Sequence, residues 1–204
     1  RLPISLQPAI RFTKKECLDL PEMVYVKRKV ELTPQQSRYY KRLKDQMVMS
    51  VLGEEISAVN AAVHLNKLLQ ISAGGVYTDS GEAIAFDITN RYKVLKEVIN
   101  ESSQKVLVFV PFKHVIQIVR DALIKDNITT EVIDGSVSST KRTDIFKKFQ
   151  TNPDPQVLVI QPQEAAHGVT LTQASTIVWW GPTSSLETYS QANARIHSSG
   201  QTHK

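Results

Sequence analysis

Near its end the chain reads YSQANARIHSSGQTHK, Tyr189 to Lys204, and there Gln191, Arg195 and position 198 recur at i, i+4 and i+7. That spacing places side chains on one face of a helix. The amide of Gln191 both donates and accepts, while Arg195 is a fixed cation whose planar fork fits a phosphate bidentately. An arginine supplied across a gap between domains is how many nucleotide-hydrolysing enzymes neutralise charge developing on a transferring phosphoryl group. Taken alone, the pair also fits a solvated helix face. Ser184 and Glu187 have the spacing of a capping box and predict the start of this helix. Earlier, in the loop EAAHGVTLTQAS, Gly168 can let the backbone approach a ligand closely or serve as an ordinary turn glycine.

Other chemistries are not legible. There is no GxxxxGK[ST] loop, no GxGxxG and no DExx box after an apolar strand, so a nucleotide would be handled without the usual phosphate cradle. The five histidines, at 64, 114, 167, 197 and 203, lack HExxH or paired ligand spacing, and no metal site is expected. No serine sits in a GxSxG elbow, which argues against a hydrolase triad.

The elements that must position these residues change in texture along the chain. Residues 22–32, EMVYVKRKVEL, alternate apolar and charged positions and predict a half-exposed strand. Thr33-Pro34 supplies a cap and a first-turn proline to a helix over the following residues, with Tyr39, Leu43, Met47 and Leu52 close to one side. A second helix runs from about Ile56 to the Gly74-Gly75 pair, and a loop or short hairpin turns around Ser80-Gly81. From Thr89 onward helix and strand patterns alternate. KVLVFVP is an almost unbroken apolar run, as in a strand buried on both faces, and TTEVIDG, QVLVIQP and STIVWWG are further strands. The close alternation predicts right-handed crossovers and a parallel sheet covered on both sides. In such sheets chemistry gathers at the carboxyl ends of the strands, here Pro111-Phe112-Lys113, Asp134-Gly135-Ser136, Gln161-Pro162-Gln163 and Gly181-Pro182.

With 204 residues, 41% hydrophobic, the chain can build a substantial core. One cysteine, Cys17, excludes an intrachain disulfide and a cysteine-based metal site. No apolar run reaches the length of a membrane span and no secretory signal is legible, so an intracellular protein is expected, cytoplasmic or nuclear. A start at Arg1 rather than Met leads us to expect further chain. The net charge of +5 is unevenly spread: residues 1–50 hold 11 Lys+Arg against 5 Asp+Glu, the rest 14 against 15. A basic front suits an anionic partner such as nucleic acid, and equally a solvated helix face.

Taken in order, these pieces resemble the C-terminal RecA-like lobe of the superfamily-two helicases, and within them the Swi/Snf-type ATP-dependent DNA translocases. QANARIHSSGQ is similar to the family's last motif, Q-A-x-x-R-x-x-R-x-G-Q, matching at Gln191, Ala192, Arg195, Gly200 and Gln201. VLVIQPQEAAHGVTLTQASTIVWW resembles the motif before it, KVLVFVPFKHV resembles motif four, and Gly135-Ser136 with Arg142 resembles the G-S-x-x-x-x-x-R element. Ile10 to Lys15, Leu20-Pro21 and Leu32 to Gln35 look like the segment that links the two lobes, so the resemblance spans nearly the whole chain.

The resemblance implies an α/β fold, a RecA-like parallel sheet with helices on both faces in three layers, preceded by a mainly helical N-terminal extension. It divides the chain into a basic linker over 1–88 and the lobe over 89–204. It also implies half of a motor, inactive alone, whose missing N-terminal lobe carries the P-loop and the DExx carboxylates and holds most of the ATP and its Mg2+. Arg195 would then reach the γ-phosphate and Gln191 help sense it, with His167 and Gly168 coupling the nucleotide cleft to the DNA groove. Phe112, Lys113, Ser136, Arg142 and Gln163 would touch the backbone of double-stranded DNA without reading sequence. Two departures stand out. The family's second arginine falls on Ser198, and Glu164-Ala165-Ala166-His167 replaces a loop in which the family favours glycines. A non-catalytic DNA-binding module, or a docking domain with a degenerate ATP site, is the alternative.

Overall fold

The computed structural model describes residues 20–53, 58–78, 80–166 and 169–202. Two helices open it, α1 (Pro34–Gly53) and α2 (Ala58–Ala73). Thr33 caps α1 reciprocally: its amide donates to Gln36 Oε1 at 3.2 Å and its hydroxyl accepts from the Gln36 amide at 3.4 Å, with Pro34 in the first turn. That exchange satisfies donors the helix cannot pair internally. The side chain of Gln36, buried, also donates to the carbonyl of Ile71 at 2.8 Å and so clamps α1 to the end of α2.

Gly74 ends α2 at φ +114°, where a Cβ would stand 2.3 Å from Ile88 Cγ2. Only glycine fits both the backbone and the space. A hairpin follows, β1 (Gly75–Tyr77) antiparallel to β2 (Ala83–Ala85), with Gly81 at φ +86° in its turn.

The remainder alternates: α3 (Thr89–Glu101), β3 (Lys105–Phe109), α4 (Lys113–Lys125), β4 (Thr130–Ile133), α5 (Ser139–Thr151), β5 (Val157–Ile160), a 3-10 turn (Pro162–Ala166), β6 (Ala174–Trp179) and α6 (Leu186–Asn193). The four long-range strands form one parallel sheet in the order β4-β5-β3-β6. Successive residues of a strand face opposite sides, and the core divides accordingly. Val106, Val108, Val157 and Val159 meet Leu95 and Ile99 of α3 and Val115, Ile116, Val119 and Leu123 of α4. Leu107, Phe109, Ile133, Leu158 and Ile160 meet Ile145, Phe146 and Phe149 of α5 and Ala192 of α6. The result is the expected RecA-like three-layer arrangement. Each fully buried Leu, Ile or Phe contributes about 1.5–3 kcal/mol relative to exposure, which is why both faces of β3 and β5 are apolar.

Residues 22–32 depart from expectation. They form no strand, and Val24, Tyr25 and Val26 are 69%, 67% and 69% exposed. Alternation supplies a strand's pattern but not a partner, and among the described residues no ladder bond reaches this segment. Side chains hold it to α3 instead: Arg28 pairs with Glu101 at 2.5 Å, and Asn90 Nδ2 donates to the Glu31 carbonyl at 3.1 Å.

Candidate functional site

The strand ends are aligned by main-chain bonds that continue past each strand. The amide of Gln161 donates to Ile133 O at 2.9 Å, that of Val110 to Ile160 O at 3.0 Å, and that of Trp180 to Phe109 O at 2.9 Å. The loops after β4, β5, β3 and β6 therefore stand side by side along one edge.

On that edge Asp134 is 3% exposed, yet its carboxylate accepts from the Ser136 hydroxyl at 2.5 Å and the Ser136 amide at 2.8 Å. Burial opposes its ionisation, but the two Ser136 bonds and the charge of Lys113 outweigh burial and hold the carboxyl below the usual aspartate range. Ser136 is thereby fixed by an anion beneath it, and Lys113, exposed at the start of α4, lies close enough to feel the same charge. Phe112 precedes it in an extended conformation and packs partly into the core beside α4.

Arg142, one turn into α5, is bonded inward. Its Nη2 donates to the Val137 carbonyl at 3.3 Å and pairs with Glu164 Oε2 at 2.5 Å, the two side chains being 16% and 17% exposed. Glu164 belongs to the 3-10 turn after β5, in which Gln163 is exposed. Lys113, Ser136, Arg142 and Gln163 are thus brought to one edge, with two carboxylates set among them.

The last helix differs from its expected form. Its cap is Ser185, whose hydroxyl accepts from Thr188 N at 3.1 Å, rather than Ser184; either serine can cap, and the backbone of Ser185 takes the extended conformation a cap requires. It ends at Asn193, so Gln191, Arg195 and Ser198 do not form one helical stripe. Gln191 remains on α6 and donates to Glu187 Oε1 at 2.9 Å. Arg195 lies beyond the helix, where its carbonyl accepts from Leu171 N at 2.8 Å and its Nη1 donates to Val169 O at 3.4 Å. Long-range pairing with the 169–171 segment wins over continuation of the helix. Asn193, buried, accepts from Trp179 Nε1 at 3.0 Å and ties α6 to β6. Gln201, 6% exposed, follows Gly200 at φ +92° and donates to the Ala174 and Ile196 carbonyls at 2.9 and 3.1 Å. The Gly-Gln pair therefore anchors the end of the chain to the start of β6. His167 and Gly168 lie outside the described residues.

A groove of about 530 Å³ runs beside β6, lined by Arg91, Trp179, Trp180, Pro182 and Tyr189 among others. None of Lys113, Ser136, Arg142, Gln163, Gln191 or Arg195 lines it. Among the described residues no group of three or more His, Cys, Asp and Glu side chains could hold a metal ion. No helix among them is long and apolar enough to cross a membrane.

Residues 90–200 match the helicase conserved C-terminal domain. The chain belongs to that helicase C-terminal family. It is 34% identical over 111 residues to the DNA annealing helicase and endonuclease ZRANB3 of Homo sapiens, a match covering 52% of this chain and 10% of that protein. It is 26% identical over 200 residues to the uncharacterized ATP-dependent helicase MG018 of Mycoplasma genitalium, covering 94% of this chain and 19% of that one. The chain thus spans between about a tenth and a fifth of the length of these relatives. Among solved structures, the SWI2/SNF2 ATPase core domain of Sulfolobus solfataricus superposes with a TM-score of 0.66 at 23% identity, over 85% of this chain and 36% of that one. The C-terminal part of the Fun30 ATPase domain gives 0.54 at 25% identity, over 59% and 39%. The expected helicase C-terminal family holds, and so does the expected RecA-like fold, which is similar to SWI2/SNF2 ATPase structures.

Within this helicase lobe several residues had no signal of their own in the sequence. Asp134 and Glu164 stood out there only by position, in a strand-end loop and in an altered motif, and their pairings, with partners two and 22 residues away, came from the structure. Gln201 was legible only as a motif position.

Proposed function

We propose that this helicase C-terminal lobe is the second motor lobe of an ATP-dependent double-stranded DNA translocase, inactive alone, with 1–88 as the extension joining it to an N-terminal RecA-like lobe and 89–204 as the lobe itself. Arg195 is the arginine it supplies across the cleft, and Gln191, on α6, helps sense the γ-phosphate. The donor chemistry suits an anion: a guanidinium carries a fixed charge and five N–H donors, of which Arg195 Nη1 donates to Val169 O. Glu187, bonded to Gln191, is an anion that disfavours a phosphate there. ATP with Mg2+, held mainly by the other lobe, supplies the phosphoryl chemistry. This chain's part is to orient a cation toward it. His167 and Gly168 would take the family's coupling position between that cleft and the DNA. Phe112, Lys113, Ser136, Arg142 and Gln163 are the candidates for sequence-independent contact with the DNA backbone, and such contact weakens as salt rises.

The observation that carries this reading is the ordered motif set ending in QANARIHSSGQ, laid on a RecA-like sheet whose strand ends align. Its test is DNA-stimulated ATP hydrolysis by a protein in which this lobe is joined to one bearing a P-loop and a DExx box. Arg195→Ala should lower the rate by roughly 10³ to 10⁵, the range for arginines acting in trans. A rate indifferent to that substitution overturns the reading. Ser198 in the second arginine position favours one other reading, a DNA-binding module without turnover. Salt-dependent DNA binding with no hydrolysis in the joined protein would support it.

A further inference from the structure

Arg142 was expected to face a nucleic-acid backbone, yet its fork is occupied from within. Glu164 Oε2 lies 2.5 Å from Nη2, and the same nitrogen donates to Val137 O. Arg142 Nε is buried and makes no hydrogen bond among the described residues, so the Glu164 contact to the guanidinium is made at Nη2 and not at Nε. The other carboxylate oxygen, Oε1, points at the loop after β4, where it would lie 3.5 Å from a Cβ placed on Gly135. The Glu164 carboxylate therefore stands between Gly135 and an arginine, with one oxygen toward each, in surroundings suited to a phosphate.

We propose that Glu164 is an internal stand-in for a phosphate on Arg142 and sets how tightly this edge takes a nucleic-acid backbone. The inference rests on the reading of the edge as a DNA-contacting surface. A phosphate arriving there must displace the carboxylate, because the two anions share one cation and repel each other at contact distance. Neutralised from within, Arg142 also holds no DNA phosphate and releases no counterion in doing so. Its contribution to affinity is suppressed until Glu164 swings away.

The test compares the 204-residue chain with Glu164→Gln, Glu164→Ala, Arg142→Ala and the double variant Glu164→Gln/Arg142→Ala, titrating each with a short duplex DNA at several salt concentrations. Both Glu164 variants should bind roughly tenfold tighter at low salt, and the slope of log K against log salt should steepen by about 0.9, one further phosphate neutralised. Adding Arg142→Ala to Glu164→Gln should remove the gain. If the parent binds DNA and the Glu164 variants bind equally or more weakly, with an unchanged slope, the inference is overturned and the proposed function stands. If no variant binds DNA at any salt, the DNA-contacting reading fails and the inference with it. A purely structural ion pair would lower the melting temperature of both Glu164 variants without steepening the slope, which also overturns the proposal.

Discussion

The indole N–H of Trp180 donates to the main-chain oxygen of Ala73 at 2.7 Å, across 107 residues of sequence, and both residues are buried. The last turn of α2 is thereby fastened to the end of β6, with the guanidinium of Arg91 lying 5.5 Å from the centre of the Trp180 ring. Trp180→Phe keeps most of the apolar volume and deletes the donor, leaving a buried carbonyl unpaired. The expected loss is about 1–3 kcal/mol of unfolding free energy, read from urea denaturation. A change within experimental error would mean that the bond contributes nothing net.

Asp134 makes the lobe sensitive to acid. Because its carboxyl lies below the ordinary range when folded, its contribution is fully present above the unfolded value near 3.8 and is lost as pH falls through the folded one. Asp134→Asn should cost about 1–3 kcal/mol at pH 7, since the charged acceptor of the two Ser136 bonds is gone, and should flatten the acid limb of a stability profile. Equal acid limbs in parent and variant would contradict this.

His114 acts over a different window. Its ring lies 4.3 Å from that of Tyr77, edge to face, and burial lowers its pKa from 6.5, with the Gly75 backbone partly opposing. Above pH 6.5 it contributes no pH dependence. As pH falls below that value the unfolded chain gains a proton the folded chain refuses, so stability declines until the folded pKa is reached. Stability measured between pH 7 and 5 should fall less steeply in His114→Phe than in the parent.

Ser198 offers a gain-of-function test in the joined two-lobe protein. Ser198→Arg should raise DNA-stimulated ATP hydrolysis by at least about tenfold, through a second cation near the phosphoryl group. The change leaves intact the main-chain bond from Gln201 N to Ser198 O. An unchanged rate would place position 198 away from the reacting phosphate.

Much of the lobe was legible because β3 and β5 are covered on both faces and write that burial as unbroken runs, VLVF and VLVI. Thr33-Pro34 was legible as a helix start because caps are local chemistry, while the reciprocal bond from Gln36 came from the structure. Residues 22–32 misled because alternation describes a surface and is silent on whether an edge is there to receive it. The end of α6 was equally hidden. A polar stripe at helical spacing continues past Asn193, but Leu171, more than twenty residues earlier, claims the Arg195 carbonyl. The Arg142–Glu164 pair joins elements 22 residues apart, and nothing in either local sequence announces it.

Arg195 is attached to the 169–171 segment at both ends of the residue, by its carbonyl to Leu171 and by its guanidinium to Val169. A long flexible side chain is ordinarily a loose pointer. Here it is one arm of a short lever whose other arm is the loop itself, so a shift of that loop would carry the charge with it and need no intervening helix as a relay.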